Sequence, residues 1–177
     1  MKEDFDIDEF LKESREKSEK IKDLARNNDF DSIPDDEDLC FAITELLNEK
    51  SREELQTLPM PCQYSIAAYN VTNRAYAEDF EQVYTDLRQF VLLAIEGLFQ
   101  IGEPALGEVM KKSYRVYEKA ENIINKYERG AISWDELLGM KLWMKVHEDF
   151  YHVYVPSSVA KNIGKYIREN QKDFCCL

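Results

Sequence analysis

Two histidines in the last third of the chain are the residues whose types first suggest metal chemistry. They bound the string His147-Glu148-Asp149-Phe150-Tyr151-His152. A zinc-protease helix places its two histidines four residues apart, so that both imidazoles share one face. Here the spacing is five, which separates them by about 140° around a helix. Helix bundles that hold two metal ions use Glu and His three apart on two helices, and no second copy occurs here. We therefore expect no metal site.

The cysteines and serines show no pattern that is typical of catalysis. Cys40 and Cys62 stand alone in apolar helix faces, whereas Cys175 and Cys176 are adjacent. Prenylation needs Cys at the fourth position from the end, where Phe174 stands. No serine is flanked by glycines as in a nucleophile elbow, and the six glycines are scattered singly rather than in a phosphate-binding loop. The sequence predicts no enzyme activity, no catalytic residue and no cofactor.

A run of carboxylates between residues 29 and 38, without any basic residue, is the strongest charge signal. A calcium loop starting at Asp29 would have Pro34 where glycine is needed and Cys40 where a bidentate Glu belongs. Pro34 followed by acids instead fits a helix start, where carboxylates face the positive end of the helix dipole. A helix start does not need so many uncompensated acids, so we also interpret them as a face for a basic partner. The predicted partner-binding residues are Asp29, Asp31, Asp35, Asp36, Glu37 and Asp38.

Tyrosines at helical spacing offer a second kind of site. Aromatic residues in such a pattern are more often core than ligand contacts. If some of them line a pocket for a small ligand, we expect that pocket to contain Tyr64, Tyr69, Asn73, Tyr76 and Trp143.

The elements that carry these residues are predicted to be helices. Apolar residues recur at steps of three and four, most clearly from Phe80 to Phe99, and no alternating strand pattern occurs. Ser133-x-x-Glu136 has the form of a capping box at a helix start. The sequence predicts an all-α protein, a single compact bundle of six or seven helices with an acidic N-terminal helical extension. We assign residues 1–38 to an acidic helix and linker, and residues 39–177 to the helical domain.

The net charge of −12 over 177 residues is unevenly distributed. Residues 1–60 hold 19 Asp/Glu and 9 Lys/Arg, net −10, whereas residues 61–177 have a net charge of −2. A polyanion does not favour direct binding to nucleic acid or to anionic lipid. The acidic start of the chain is unlike a signal peptide, and no apolar run is long enough to cross a membrane. We expect a cytoplasmic protein.

The order of features from about residue 55 to 174 resembles the bacterial family named after DNA-mimic protein nineteen. The matching pieces are Leu58-Pro59, the stretch from Glu96 to Glu103, Tyr114-Arg115-Val116-Tyr117, Trp134-Asp135-Glu136-Leu137, Glu148-Asp149-Phe150-Tyr151 and the ending from Tyr166 to Phe174. The resemblance implies an all-helical acidic protein without a known catalytic site. It also implies that carboxylates take the place of DNA phosphates on a DNA-binding protein, or that the protein neutralises a toxin.

One departure from the family pattern concerns a helix junction. The family usually has Asn-Gly-Gly-Phe where this chain has Asn73-Arg74-Ala75-Tyr76. Loss of both glycines removes positions that take positive φ, so we expect continuous helix here.

Three functional hypotheses follow, in this order of preference. The first is a non-enzymatic interaction module whose acidic surface binds a basic partner, either a nucleic-acid-binding protein or a toxin. The second is a small-ligand or regulatory domain that uses the tyrosine- and tryptophan-lined pocket. The third is an enzyme built around His147, Glu148 and His152. The sequence leaves open whether the protein is a monomer or a homodimer.

Overall fold

The structure is a computed structural model that describes residues 7–155 and 157–175, apart from the side chains of Asp8 and Phe10. Residues 1–6 of the predicted acidic segment lie outside these ranges, as do residues 156, 176 and 177 of the predicted helical domain. The described backbone contains only helices and connecting turns, which confirms the all-α prediction. A 3-10 turn spans Phe30–Ser32. The α-helices are α1 Ile7–Arg26, α2 Asp36–Asn48, α3 Arg52–Thr57, α4 Met60–Ala77, α5 Phe80–Asp86, α6 Arg88–Gln100, α7 Pro104–Glu128, α8 Trp134–Gly139, α9 Met144–Tyr154, α10 Val159–Glu169 and α11 Gln171–Phe174.

These eleven helices of the described residues divide the chain more finely than the six or seven predicted. The apolar stripe from Phe80 to Phe99 is interrupted at Leu87, whose φ of −120° and ψ of 9° separate α5 from α6. The predicted helix that begins after Ser133 also divides, because the chain turns at Lys141 with a φ of 49°. Apolar spacing continues across both breaks, so periodicity alone does not show them.

Helix α4 lies at the centre of the bundle and packs against α2, α5, α6 and α10. Its closest neighbour is α6, where a Cβ at Gly97 would lie 2.9 Å from the carbonyl oxygen of Tyr64. Glycine at this position therefore lets the two helix backbones approach. Helix α4 is continuous from Met60 to Ala77, as expected from the loss of the two glycines. None of the described helices combines the length and the apolarity needed to cross a membrane.

The N-terminal segment is partly integrated into the hydrophobic core. Helix α1 packs on α2, and Ala25, Phe30 and Ile33 are almost completely buried in the same core as the later helices. The first turns of α1 are different, because Ile7 is 61% exposed and Leu11 is 45% exposed. Every described side chain from Ile7 to Lys20 is exposed, so burial within α1 begins only at Ile21.

Candidate interaction surface

The predicted acidic residues lie around the 3-10 turn and the first turn of α2. Asp35 is the N-cap of α2, and its carboxylate accepts hydrogen bonds from the backbone N–H groups of Asp38, at 3.1 Å, and Glu37, at 2.8 Å. These bonds hold the pKa of the Asp35 carboxyl below its ordinary value. Asp36, Glu37 and Asp38 follow in the first turn. The interpretation of these acids as residues of a helix start is confirmed.

Asp36 serves the packing of the N-terminal segment. Its carboxylate accepts a hydrogen bond of 2.7 Å from Nε of Arg168 on α10, and both side chains are largely buried. The same guanidinium donates to the carbonyl oxygens of Phe30, at 2.9 Å, and Ile33. Arg168 therefore fastens the 3-10 turn and the start of α2 to α10. Because its carboxylate is occupied in this way, Asp36 is not available to a partner.

Three acids in α2 or directly after it are paired with cations of α1, namely Asp38, Glu45 and the C-cap residue Glu49. Lys17 Nζ lies 2.8 Å from Asp38, and Lys22 Nζ lies 2.6 Å from Glu49 and 3.5 Å from Glu45. The hydrogen bond to Glu49 raises the pKa of Lys22, and the same bond lowers the pKa of Glu49. Helix α1 thus turns cations towards the acidic side of α2.

These ion pairs show where the negative charge of the first sixty residues remains unneutralised. Helix α1 has six acids and six bases, so it is neutral overall, whereas residues 27–60 have a net charge of −8. In the described part of the chain, Asp29, Asp31 and Glu37 are exposed and make no ion pair. Asp35 is also exposed and is bonded only to backbone N–H groups. We call these four residues (Asp29, Asp31, Asp35 and Glu37) the acidic edge.

The predicted pocket is not one site, because two of its five residues lie elsewhere. Trp143 is only 1% exposed, its indole Nε1 donates to the carbonyl oxygen of Ser113 at 2.9 Å, and its ring stacks on Tyr84 at 5.1 Å. It is a core residue, so the placement of Trp143 in a pocket is wrong. Tyr64 is twelve residues from Tyr76 on α4, about 18 Å along the helix axis.

The other three predicted pocket residues lie on the C-terminal half of α4 and line two different grooves, since Tyr69 and Asn73 line one and Tyr76 lines the other. Tyr76 stacks on Tyr154 with ring centroids 4.8 Å apart and contacts Tyr151 at 5.5 Å. The hydroxyl of Tyr154 donates to Oδ1 of Asn73 at 2.8 Å, and that of Tyr151 donates to the carbonyl oxygen of Tyr76 at 2.9 Å. We call Tyr76, Tyr151 and Tyr154 the tyrosine patch.

Sequence reasoning missed Tyr151 and Tyr154, although a signal was present. The two tyrosines are three residues apart at the end of α9, so they share a helix face. They lie in or just after the string His147–His152, which the sequence analysis considered only as a metal-binding pattern.

A groove of about 260 Å³ connects the tyrosine patch with the acidic edge. Glu37, Tyr76, Tyr154 and Val155 line one part of it, and residues 157–160 line the rest. Val155 is 65% exposed and Tyr76 is 45% exposed. The groove therefore combines exposed aromatic and apolar surface with a carboxylate that makes no ion pair in the described residues.

The two histidines have different surroundings. His147 is half-buried, stacks on Tyr151 at 4.9 Å and contacts the ring of Phe80 at 5.6 Å. Its Nε2 is buried without a hydrogen-bond partner among the described residues, whereas His152 is exposed. Across residues 7–155 and 157–175, no group of three or more metal-ligating side chains converges.

The described cysteines divide into buried and exposed thiols. Cys40 and Cys62 are buried, and burial raises the pKa of the Cys40 thiol to about 12. Cys175 is exposed. A thiol with such a raised pKa is a poor nucleophile, so Cys40 is a packing residue.

A second groove, of about 340 Å³, lies between α3, α4 and α6. Its walls are the apolar side chains of Leu55, Ile66, Phe90 and Leu93, with Arg52, Gln63 and Glu96 among its polar groups. Tyr64 touches its edge through a hydrogen bond from its hydroxyl to Glu96, at 3.3 Å. It contains none of the other predicted pocket residues.

Comparison with known proteins identified no matching family model, no matching curated protein and no matching solved structure. The candidate function therefore depends on the geometry of the two surfaces and on the sequence pattern.

Proposed function

We propose that this protein is a non-enzymatic interaction module that binds a basic protein partner through the acidic edge. The observation that carries the proposal is the division of the six predicted acids. Asp36 and Asp38 are neutralised within the fold, whereas Asp29, Asp31 and Glu37 are exposed without an ion pair among the described residues. Exposed charges of one sign accelerate and orient association with an oppositely charged surface.

The tyrosine patch supports binding of a protein rather than of a free cation. Tyrosine is enriched at the centres of protein interfaces, where its ring is buried by the partner and its hydroxyl keeps a hydrogen bond. Here the hydroxyls of Tyr151 and Tyr154 are already bonded within the chain, so these rings are held in place before a partner arrives. Fixed side chains lose less conformational entropy on binding.

The resemblance to the family of DNA-mimic protein nineteen covers residues 55–174 and not the acidic edge, so it supports only the class of partner in a more specific form of this proposal. In that form the partner is a nucleic-acid-binding protein or a toxin, and the exposed carboxylates occupy a surface that otherwise binds phosphates. A cytoplasmic location fits such a partner, and no direct contact with nucleic acid or membrane is proposed.

Affinity capture from a lysate of the source cells tests the proposal. The tagged wild-type chain, an Asp29→Asn/Asp31→Asn/Glu37→Gln variant and a control Glu118→Gln/Glu121→Gln variant are compared. Glu118 and Glu121 are exposed on α7 and also make no ion pair among the described residues. The proposal expects a basic protein that elutes with rising salt from wild type and control, and a loss of capture by the acidic-edge variant. Equal capture by all three variants contradicts it.

A small-ligand module is the second candidate, and the 340 Å³ groove is the observation that favours it. This volume lies at the lower end of the range of about 300–1,000 Å³ that ligand pockets occupy. A thermal-shift screen of apolar carboxylates and amides tests it, with Leu93→Asn as the variant that makes the groove wall polar. The candidate expects a ligand that stabilises wild type and fails to stabilise Leu93→Asn.

A further inference from the structure

Tyr76 presents an aromatic face whose position is fixed by the residues around it. The rings of Tyr154 and Tyr76 are inclined by 29° at 4.8 Å, and the ring of Tyr151 contacts Tyr76 at 5.5 Å. The hydroxyls of Tyr151 and Tyr154 are bonded to the last turns of α4. The patch therefore joins α4 to α9 and leaves 45% of Tyr76 open to solvent.

The groove beside this face has a negative charge. Glu37 lines it, is exposed, and makes no ion pair among the described residues. Asp35 is two residues earlier, and its lowered pKa keeps it ionised. Lys161 on α10 is close enough to contribute to that lowered pKa, after the two backbone hydrogen bonds, but it forms no ion pair with either acid.

We propose, on the basis of the proposed function, that this groove binds the side chain of an arginine of the basic partner. A guanidinium is planar and weakly hydrated, stacks on aromatic rings and forms a paired hydrogen bond with a carboxylate. Tyr76 provides the ring and Glu37 provides the carboxylate. A lysine ammonium is a point charge with a strongly held hydration shell, so it uses this pair of groups less well.

The size of the groove agrees with a single side chain as the occupant. At about 260 Å³ it is smaller than typical pockets for drug-sized ligands. Exposed Val155 lies beside the tyrosines and offers apolar contact to the methylene groups of an arginine. The other unpaired carboxylates of the acidic edge then face the remaining basic residues of the partner.

The test measures the preference for arginine over lysine with two labelled peptides of equal charge. Nona-arginine and nona-lysine are titrated with the full-length chain in 150 mM and 500 mM NaCl, and fluorescence anisotropy is recorded. A cation–π contact at an exposed site corresponds to a preference of about threefold for arginine. We expect this preference in wild type, and we expect it to disappear in Tyr76→Leu and in Glu37→Gln.

Tyr64→Leu is the matched control, because Tyr64 lies on the same helix and outside the groove. It should keep the preference of wild type. Circular dichroism verifies that each variant is folded, and Glu37→Gln provides a second test if Tyr76→Leu is not.

The outcomes separate this inference from the proposed function. The arginine groove is wrong if both peptides bind in a salt-dependent way without a preference for arginine, or if the preference is retained in Tyr76→Leu. Neither result contradicts the proposed acidic interaction module. Binding of neither peptide contradicts both. If sedimentation shows a dimer that Tyr76→Leu dissociates, the patch is occupied by a second copy of the chain, and the inference is wrong.

Discussion

Replacement of Gly164 by alanine should destabilise the protein strongly, because α10 crosses the first turn of α2 at this residue. A Cβ at Gly164 would overlap the carbonyl group of Asp36 and lie 2.8 Å from its Cα. Carbon atoms pack at about 3.5–4.0 Å, so the helices must separate by about 1 Å. The neighbouring side chain of Arg168 bonds to Asp36 across the same contact, at 2.7 Å, and separation would weaken that bond as well.

The magnitude follows from these two effects. Forcing an extra methyl group into a packed contact costs about 1–3 kcal/mol. Weakening a hydrogen bond between charged groups adds about 1 kcal/mol. We therefore expect Gly164→Ala to reduce the free energy of unfolding by about 3 kcal/mol. For a chain of this length, that corresponds to a decrease in Tm of about 9 °C.

Urea and thermal unfolding followed by circular dichroism measure this change. Gly139→Ala is the matched control, because Gly139 ends α8 without positive φ and a Cβ there meets no atom within 4 Å. The control should be as stable as wild type or more stable by about 0.5 kcal/mol, since alanine reduces the entropy of the unfolded chain. If Gly164→Ala unfolds within 0.5 kcal/mol of wild type, the close approach of α10 to α2 is not present.

Three further predictions concern helix α1, the N-cap residue Asp35 and the cysteine thiols. Lys22 joins α1 to Glu49 through a partly exposed ion pair, in which the side chain of Glu49 is 52% exposed and that of Lys22 is 15% exposed. We therefore expect 1 M NaCl or Lys22→Gln to accelerate amide hydrogen exchange in α1 and to leave exchange in α4 unchanged. Equal acceleration in both helices would contradict this prediction. The lowered pKa of Asp35 stabilises the folded protein at pH values above the ordinary pKa of 3.8, and this stability is lost as the pH falls through the lower folded value. Asp35→Asn keeps an N-cap without this titration, so its free energy of unfolding should decrease less than that of wild type below pH 4. Parallel acid-unfolding curves for the two proteins would refute the prediction. In the native protein, iodoacetamide should label the exposed Cys175 and leave Cys40 unmodified, because Cys40 is buried and its thiol has a pKa of about 12. If peptide mapping finds both cysteines labelled at the same rate, Cys40 is accessible and the prediction is wrong.

The local signals for helix boundaries in the sequence were reliable where a side chain completes the cap. Ser133 and Glu136 form the predicted capping box, with the Ser133 hydroxyl accepting from the Glu136 N–H at 3.2 Å. The acids after Pro34 lie in the first turn of α2 as predicted. The break at Leu87 could not be predicted, because no glycine or proline marks it and its position depends on how α5 and α6 pack on α4 and α7.

The candidate site was predictable in its composition but not in its arrangement. The charge pattern identified the acidic residues, but it could not show that Arg168, more than 130 positions later, donates a hydrogen bond to the carboxylate of Asp36. Spacing on α4 did not define one pocket, because Asn73 and Tyr76 both contact Tyr154 but line different grooves. It could not place Trp143, whose position depends on the long-range bond to Ser113. Long-range pairs of this kind are determined by the packing of the whole bundle, and a single sequence does not display them.

The salt dependence of binding to the captured basic partner is the most direct test of the acidic interaction module. The dissociation constant is measured by anisotropy at several NaCl concentrations for wild type, for Asp29→Asn/Asp31→Asn/Glu37→Gln and for the Glu118→Gln/Glu121→Gln control. Ionic contacts are screened by salt, so the wild type should lose affinity steeply with increasing NaCl. The acidic-edge variant should bind about fivefold more weakly at low salt and show a shallower dependence, and the control should follow wild type. If the acidic-edge variant keeps the affinity and the salt dependence of wild type, the acidic edge does not bind the partner.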